Sequence, residues 1–128
     1  MEPRELLETA RASSGRAYAP YSNFHVGAAL RTVDGTVYAG CNVENASYGL
    51  SMCAERNAVA KMISATEDRK IISVAVASPD AKPCMPCGAC RQVLREFGCE
   101  EVIVEGESGP ESHELEALLP HSFGPESL

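Results

Sequence analysis

The sequence predicts an α/β domain in which helices cover both faces of a mixed β-sheet. Strand and helix patterns alternate after a hairpin signal in the first third of the chain, and the length of 128 residues suits one domain. A hairpin gives an antiparallel pair, whereas strands joined through helices are usually parallel, so the sheet should contain both kinds of pairing. The predicted fold is therefore a three-layer α/β/α sandwich, with residues 1–128 as a single domain.

The N-terminal part of the chain predicts a helix followed by a β-hairpin. Apolar residues recur at helical spacing among charged ones, at Leu6, Leu7, Ala10 and Ala17. The helix should end before Ala19, where a turn-rich segment begins. Residues 26–32 and 36–41 have strand patterns, and Asp34 with Gly35 between them is a strong hairpin turn signal.

The middle of the chain predicts a helix, a strand and a further helix. Cys53 precedes a run of good helix formers that extends to Ile63. The apolar stretch 72–77 predicts a buried strand. Residues 91–97 predict the next helix, which Gly98 should end.

The C-terminal part predicts one more strand and little regular structure after it. Residues 102–105 are mostly β-branched and predict a strand. Residues 106–112 are rich in Gly, Ser, Pro and Glu, so a loop is expected there. Residues 114–119 predict one helical turn before the tail.

Three cysteines and one glutamate predict a catalytic metal site. Cys87 and Cys90 open the helix at 91–97, and Cys53 opens the one before it, so all three sulfurs lie at helix N-termini. Helix dipoles stabilise thiolates there, and Zn²⁺ takes such soft ligands. A structural zinc site uses four protein ligands, whereas a hydrolytic site keeps one position for water. Glu55 would serve as a base beside that water, and Arg56 could donate hydrogen bonds to sulfur.

Simpler interpretations of these residues stay open on spacing alone. The cysteines could be buried thiols without a metal, and Glu55 an ordinary first-turn carboxylate favoured by the helix dipole. Cys84 extends the spacing to Cys84-x-x-Cys87-x-x-Cys90, which resembles part of an iron–sulfur run but lacks the fourth cysteine and proline that should follow. Cys84 could compete for metal or form a disulfide with Cys87, but is expected to be an idle thiol in the approach loop.

Motifs along nearly the whole chain resemble the small homotetrameric cytidine deaminases of pyrimidine salvage. Cys53-Ala54-Glu55 and Pro86-Cys87-Gly88-Ala89-Cys90 match the general signature of zinc deaminases. Segments 23–30, 40–50 and 119–125 also resemble that family and occur in the same order. Together these motifs are far more specific than any one of them.

The resemblance implies a five-stranded mixed sheet and one Zn²⁺ per chain, bound by Cys53, Cys87 and Cys90. The implied reaction is hydrolytic deamination of cytidine and 2'-deoxycytidine to uridine and 2'-deoxyuridine, with release of ammonia. Glu55 would accept a proton from the zinc-activated water, pass it to ring N3 and stabilise the tetrahedral carbon formed at C4.

The resemblance also implies a substrate pocket. The positions that match Asn42 and Glu44 hold the ribose hydroxyls, and the position that matches Phe24 packs beside the pyrimidine. The backbone at Ala54 is implied to contact the base. A carboxylate is a good bidentate acceptor for a diol, which suits the role implied for Glu44.

In tetramers of this kind, residues such as Tyr48 and the tail aromatic Phe123 reach the pocket of a neighbouring subunit. A homotetramer with no fully competent monomer is therefore implied.

His25, His113 and His121 are expected to be structural or surface residues, because three cysteines already fill the metal site. Cys41 and Cys99 are expected to be small buried residues.

Composition and charge favour a small molecule as the binding partner over nucleic acid or a membrane. The formal net charge of -7 argues against nucleic acid, whose binding depends on basic contacts to phosphate. No apolar run approaches the length of a membrane span, and the acidic N-terminus does not resemble a signal peptide. Six cysteines without an export signal favour reduced thiols, so a cytoplasmic protein is expected.

The sequence leaves three alternatives to a cytidine deaminase. A noncatalytic zinc or iron–sulfur module would explain the cysteines but not Glu55 or the pair Asn42 and Glu44. A deaminase of a cytosine nucleoside antibiotic such as blasticidin S has a similar length and metal signature, yet the sequence at 41–45 resembles the ribose-binding motif. Polynucleotide editing is less favoured, because the chain is acidic.

Overall fold

Four helices and five strands make up the fold, and the computed structural model describes all of residues 1–128. The helices are α1 (Pro3–Ser14), α2 (Ala54–Ala65), α3 (Gly88–Glu96) and α4 (Leu115–Leu118). The strands are β1 (Gly27–Thr32), β2 (Val37–Cys41), β3 (Ile71–Ala77), β4 (Glu101–Gly106) and β5 (Gly109–Glu114). Short 3₁₀ turns occur at Tyr48–Leu50 and Pro125–Ser127. No helix is both long enough and apolar enough to span a membrane.

The five strands form one mixed sheet in the order β2-β1-β3-β4-β5. Only β3 and β4, which α3 connects, are parallel, and the other three pairs are antiparallel. The predicted hairpin is confirmed, because β1 and β2 pair directly around Asp34 and Gly35. Gly35 has a φ of 90°, a conformation that glycine adopts without a steric penalty.

Helices cover both faces of the sheet, which confirms the three-layer arrangement. Side chains of β3 alternate between the faces, as the period of a strand requires. On one face α1 packs in a cluster formed by Leu6, Leu7, Ala10, Ala29, Ala75, Ala77 and Ile103. On the other face α2 and α3 pack in a larger cluster that includes Ala54, Ala58, Met62, Val74, Val76, Leu94, Val102 and Val104.

The prediction of a loop over residues 106–112 is wrong, because residues 109–114 form the edge strand β5. This strand pairs only with β4 through a tight turn in which Gly106 opposes Gly109. Most of its side chains are exposed, so its sequence lacks the apolar alternation of a half-buried strand. Pro110 is compatible with this position because an edge strand leaves backbone groups unpaired.

Two other boundaries differ slightly from the sequence prediction. Helix α1 ends at Ser14, so Ala17 lies outside it. Helix α3 begins at Gly88, earlier than predicted, and Cys90 therefore lies inside its first turn. The predicted end of α3 is confirmed, because Gly98 has a φ of 68° just beyond it. The helical turn predicted near 114–119 is present as α4.

The N-terminal half of α2 lies directly against β2. A Cβ atom added at Gly40 would lie 2.6 Å from the Ala58 nitrogen and 2.9 Å from the Ala54 carbonyl oxygen. The side chain of Asn57 donates a hydrogen bond to the carbonyl of Cys41 at 2.8 Å. These contacts fix the start of α2 relative to the end of β2, where the predicted site residues lie.

Replacing Gly40 by Ala should therefore destabilise the fold, because the new methyl group meets helix backbone that cannot rotate away. We expect the free energy of unfolding to fall by about 2 kcal/mol, in the usual range for an overpacked site. Urea denaturation measures it. Gly15→Ala is the control, since its Cβ would make only an ordinary 3.4 Å contact. Equal stability of both variants would contradict the close approach of α2 and β2.

Candidate active site

Two helix N-termini bring three cysteines together. Cys53 is the N-cap of α2, and Cys87 is the N-cap of α3. Cys90 lies in the first turn of α3 and is fully buried. Both helices pack on the same face of the sheet, so their first turns meet although the two caps are 34 residues apart in sequence. The three predicted ligands are thus adjacent in the folded chain.

The geometry of the three sulfurs suits one zinc ion. Their Sγ atoms all lie within 4.8 Å of one another, and those of Cys53 and Cys87 are 3.9 Å apart. A tetrahedral Zn²⁺ with bonds of about 2.3 Å requires sulfur separations of about 3.8 Å. The donors are all soft thiols, and such ligands bind zinc in preference to harder cations. Three ligands leave one tetrahedral position for a non-protein group.

Interactions within the cluster shift the pKa values of Cys53 and Cys90 in opposite directions. The hydrogen bond from Cys90 lowers the pKa of Cys53 to about 6, with smaller contributions from Cys87 and the charge of Arg56. The same contact with Cys53, together with burial, raises the pKa of Cys90. The contact between Cys53 and Cys90 thus favours the thiolate at Cys53 and the protonated thiol at Cys90.

Glu55 is a buried carboxyl beside these sulfurs. Its side chain is 4 % exposed and forms no ion pair with a basic residue. Burial raises the pKa of Glu55 to about 7, and the negative charge of Cys53 adds to the rise. A buried carboxyl without a basic partner is costly, so the location of Glu55 indicates a role other than stabilising the fold.

A pocket of about 300 Å³ opens over the cysteines and Glu55. Its volume is at the small end of the usual range for ligand pockets. Four other residues singled out from the sequence also line this pocket, namely Phe24, Asn42, Glu44 and Ala54, whereas Arg56 does not. Cys53, Cys87 and Glu55 line the pocket, and the buried Cys90 does not. The structure thus brings the metal cluster and the predicted substrate contacts into one cavity.

Asn42 and Glu44 are held in place by hydrogen bonds before any ligand arrives. The Asn42 amide donates to the Phe24 carbonyl and accepts from the Val26 backbone N–H, both at 2.8 Å. Glu44 accepts from the backbone N–H groups of Tyr21 and Ser22 at 3.0 and 3.1 Å, and from the Ser22 hydroxyl.

These contacts fix the ionisation and orientation of the two side chains. The Ser22 hydroxyl bond is the main cause that lowers the pKa of Glu44 below its usual value. Each amide or carboxylate group keeps further hydrogen-bonding capacity, because an amide has two N–H donors and a carboxylate about four acceptor positions. Asn42 and Glu44 can therefore bind a ligand without releasing the backbone.

Five residues of the pocket wall were not singled out from the sequence as site residues. The additional lining residues are Val26, Ser51, Met52, Cys84 and Met85. Met52 is adjacent to a predicted ligand, and Val26 lies two residues from Phe24 on one side of an extended segment, so both carried a usable signal. The expectation of an idle Cys84 needs refinement, because its thiol lines the pocket outside the metal cluster. Burial and the charge of Glu55 raise the pKa of Cys84 to about 11, which keeps it a thiol.

Tyr48 and Phe123 do not reach this pocket within their own subunit. Tyr48 is 76 % exposed and contributes to a neighbouring depression next to Glu44, where its ring contacts Tyr21 edge-on at 6.1 Å between centroids. Phe123 is 60 % exposed and lies in the C-terminal tail beside α3. Both aromatic rings are available to another copy of the chain.

Arg56 forms no hydrogen bond to the sulfurs within the subunit, and its charge acts on Cys53 through space. All six cysteines are free thiols, so Cys84 and Cys87 form no disulfide. Cys99 is buried as expected, whereas Cys41 is only partly buried at the end of β2. The Nδ1 atom of His25 lies 3.0 Å from Asp80, and none of the three histidines belongs to the metal cluster.

Comparison with known proteins gives one consistent family. The family profile of the cytidine and deoxycytidylate deaminase zinc-binding region matches residues 1–105. Among curated proteins, a cytidine deaminase of Sporosarcina psychrophila is 41% identical over 131 residues, covering 100% of this chain and 96% of that protein.

Solved structures show the same similarity in three dimensions. The crystal structure of a cytidine deaminase from Burkholderia pseudomallei superposes with a TM-score of 0.88 at 46% identity, covering 96% of this chain and all of that one. A cytidine deaminase structure from Mycobacterium tuberculosis gives a TM-score of 0.85 at 40% identity, with 97% and 98% of the two chains covered.

Replacing the cysteines one at a time should separate the ligands from the other thiols. We expect Cys53→Ser, Cys87→Ser and Cys90→Ser each to lose most of the bound zinc, because each removes one of three soft ligands. Cys84→Ser, Cys41→Ser and Cys99→Ser should keep about one zinc per chain, since none belongs to the cluster. Elemental analysis of purified, dialysed protein measures the metal content. Zinc loss in Cys84→Ser equal to that in Cys87→Ser would contradict the assignment.

Proposed function

Because the chain belongs to the cytidine and deoxycytidylate deaminase family, we propose that residues 1–128 form one catalytic domain that deaminates cytidine and 2'-deoxycytidine. The products are uridine or 2'-deoxyuridine and ammonia. The observation that carries the proposal is the buried Glu55 carboxyl in the same small pocket as the three-cysteine cluster. A binding site for zinc alone would not require that carboxyl.

Cys53, Cys87 and Cys90 would hold Zn²⁺, which would supply a Lewis acid able to make a water molecule nucleophilic near neutral pH. Glu55 moves the protons. Its carboxylate accepts one proton from the attacking water and delivers it to ring N3, while the new C–O bond forms at C4. The second water proton then passes through Glu55 to the amino group, the C4–N bond breaks and ammonia leaves. Glu55 ends the cycle in the state in which it began.

Asn42 and Glu44 bind the sugar in this proposal. Both line the pocket, and their existing hydrogen bonds to the backbone orient them toward it. Beside its three existing hydrogen bonds the Glu44 carboxylate keeps about one acceptor position for a sugar hydroxyl, and the Asn42 amide adds a donor and an acceptor. These groups suit a ribose or a deoxyribose and cost little reorganisation when the sugar binds.

Phe24 and Ala54 contact the pyrimidine. The half-buried Phe24 ring provides an apolar surface for a flat base, and Ala54 lies between the ligand Cys53 and the proton carrier Glu55. The Ala54 backbone, at the start of α2, is therefore available to contact the base at the side where the reaction occurs. Arg56 tunes the cluster from outside the pocket through its charge.

The charge of the pocket favours a nucleoside over a nucleotide. No lysine, arginine or histidine of the subunit lines it, whereas two carboxylates do, Glu44 and Glu55. A phosphate group requires cationic or backbone donors, and carboxylates repel it. The net charge of -7 acts against polynucleotides in the same way.

The active form in this proposal is a homotetramer whose subunits complete one another's pockets. Several large apolar side chains are exposed, namely Tyr18, Tyr21, Val43, Tyr48, Leu50 and Phe123. Exposed apolar surface of this kind is typical of protein interfaces. Tyr48 and Phe123 would enter neighbouring pockets, since neither reaches its own. A cytoplasmic location supports the reduced thiols that the metal site needs.

Zinc-loaded wild-type protein should convert cytidine to uridine, and Glu55→Gln should lose activity by about 10²- to 10⁴-fold, because the amide cannot carry a proton. Ultraviolet absorbance of the nucleoside measures the rate, and elemental analysis should find about one zinc per chain in both proteins. Arg69→Gln is a matched surface control that should keep full activity. Near wild-type turnover by zinc-loaded Glu55→Gln would overturn the mechanism. Failure of the wild type to deaminate either nucleoside would overturn the proposed function.

Mixing two variants, each of which lacks one of the two residues, tests whether subunits share their pockets. Phe123→Ala subunits keep Glu55, and Glu55→Gln subunits keep Phe123, so co-expression creates sites with both intact residues. Random assembly in equal amounts should make about a quarter of all sites intact if each takes Phe123 from one neighbour. Activity at low cytidine concentration should then exceed the sum of the two parents. Activity equal to that sum would show that Phe123 does not serve a neighbouring site.

A further inference from the structure

Side chains of the metal-binding helix α3 hold the C-terminal tail. The Gln92 side chain donates a hydrogen bond to the Phe123 carbonyl at 2.8 Å. The Nε atom of Arg95 donates to the Ser122 hydroxyl at 2.8 Å, and its guanidinium also pairs with Glu126. Gln92 and Arg95 are three residues apart and therefore lie on one side of the helix. The tail on both sides of Phe123 is thus attached to a single helix surface.

The tail backbone lies directly on the Arg95 guanidinium. A Cβ atom added at Gly124 would lie 2.6 to 2.7 Å from the Cζ atom and the two terminal nitrogens of the guanidinium. That approach is too close for any residue but glycine unless Arg95 moves away from Ser122 and Glu126. Gly124 and Arg95 therefore fix the path of the chain immediately after Phe123.

Few apolar contacts compete with these polar ones in placing the tail. Residues 125–128 are all exposed, and Phe123 turns its carbonyl toward Gln92 while its ring is 60 % exposed. The position of the ring thus depends on a small number of hydrogen bonds from α3.

We propose that Gln92 and Arg95 are positioning residues that set where the Phe123 ring enters the pocket of a neighbouring subunit. The inference rests on the proposed function, in which Phe123 completes that pocket. It adds that α3 has two roles: it provides Cys87 and Cys90 to the metal cluster of its own subunit and, one to two turns later, orients the aromatic ring for the pocket of the next subunit. A purely structural role would stabilise the tail without affecting substrate binding.

The chain contains no tryptophan, so Phe123→Trp introduces a single fluorescent reporter at the ring position. In this background we expect Arg95→Leu and Gln92→Met to shift the emission to longer wavelength, because the ring leaves the interface for water. With Phe123 intact, each should raise the KM for cytidine by about five- to tenfold, the effect of losing one or two hydrogen bonds, with kcat within about twofold. Combining Arg95→Leu with Phe123→Ala should raise the KM no further than Phe123→Ala alone.

Gly124→Ala provides a second variant that keeps every hydrogen-bonding side chain and still displaces the guanidinium. It should reproduce the emission shift and the KM increase of Arg95→Leu. Arg69→Leu is the matched control, because Arg69 also donates to backbone carbonyls, at Ile63 and Thr66, but does not contact the tail. Circular dichroism and sedimentation should show that each variant stays folded and assembled.

Wild-type KM and unchanged emission in folded Arg95→Leu, Gln92→Met and Gly124→Ala would overturn the inference. An increase in KM that adds fully to that of Phe123→Ala would also overturn it, because the two residues would then act independently. These outcomes differ from failure of the proposed function. If the wild-type protein deaminates no cytosine nucleoside, the fluorescence measurements still report whether α3 sets the position of the ring.

Discussion

The convergence of two helix N-termini on one cation is the constraint on which the rest of the structure depends. The sheet places α2 and α3 side by side on one face, so that Cys53 and Cys87 cap neighbouring helices with their sulfurs 3.9 Å apart. Three thiolates around Zn²⁺ carry a net negative charge, which the positive ends of two helix dipoles stabilise. The close packing of Gly40 against α2 and the hydrogen bond from Asn57 to Cys41 keep α2 at the required position.

The pocket combines two kinds of polar side chain, two that are held by hydrogen bonds and one that has no basic partner. Asn42 and Glu44 are held by backbone hydrogen bonds, so the side of the pocket that we propose to bind the sugar is formed in advance. Glu55 is buried and forms no ion pair with a basic residue, which suits the proton transfer proposed for it. Preorganised polar groups reduce the cost of binding, whereas an unpaired buried carboxyl is unfavourable for stability. The fold accepts that unfavourable group where the chemistry requires it.

The sequence predicted the metal site and most of the fold because those features are local or strongly patterned. The helices that begin at Cys53 and near Cys87, the hairpin at Asp34 and Gly35 and the buried strand β3 all have clear signals within a few residues. Strand β5 was missed because an exposed edge strand needs no apolar pattern, and its pairing with β4 supplies the backbone contacts instead.

The pocket wall was predicted less completely, since proximity there depends on tertiary packing. Cys84 and Met85 reach the pocket from a loop whose path the sequence does not specify. The tail contacts of Gln92 and Arg95 join residues about 30 positions apart and follow no motif.

The central claim is that three cysteines bind zinc and leave one position for water, and X-ray absorption spectroscopy of the zinc-loaded protein tests it most directly. The account predicts three sulfur ligands at about 2.3 Å and one oxygen or nitrogen ligand. Four sulfur ligands would contradict it, because zinc would then be closed to water and Glu55 would have no nucleophile to activate.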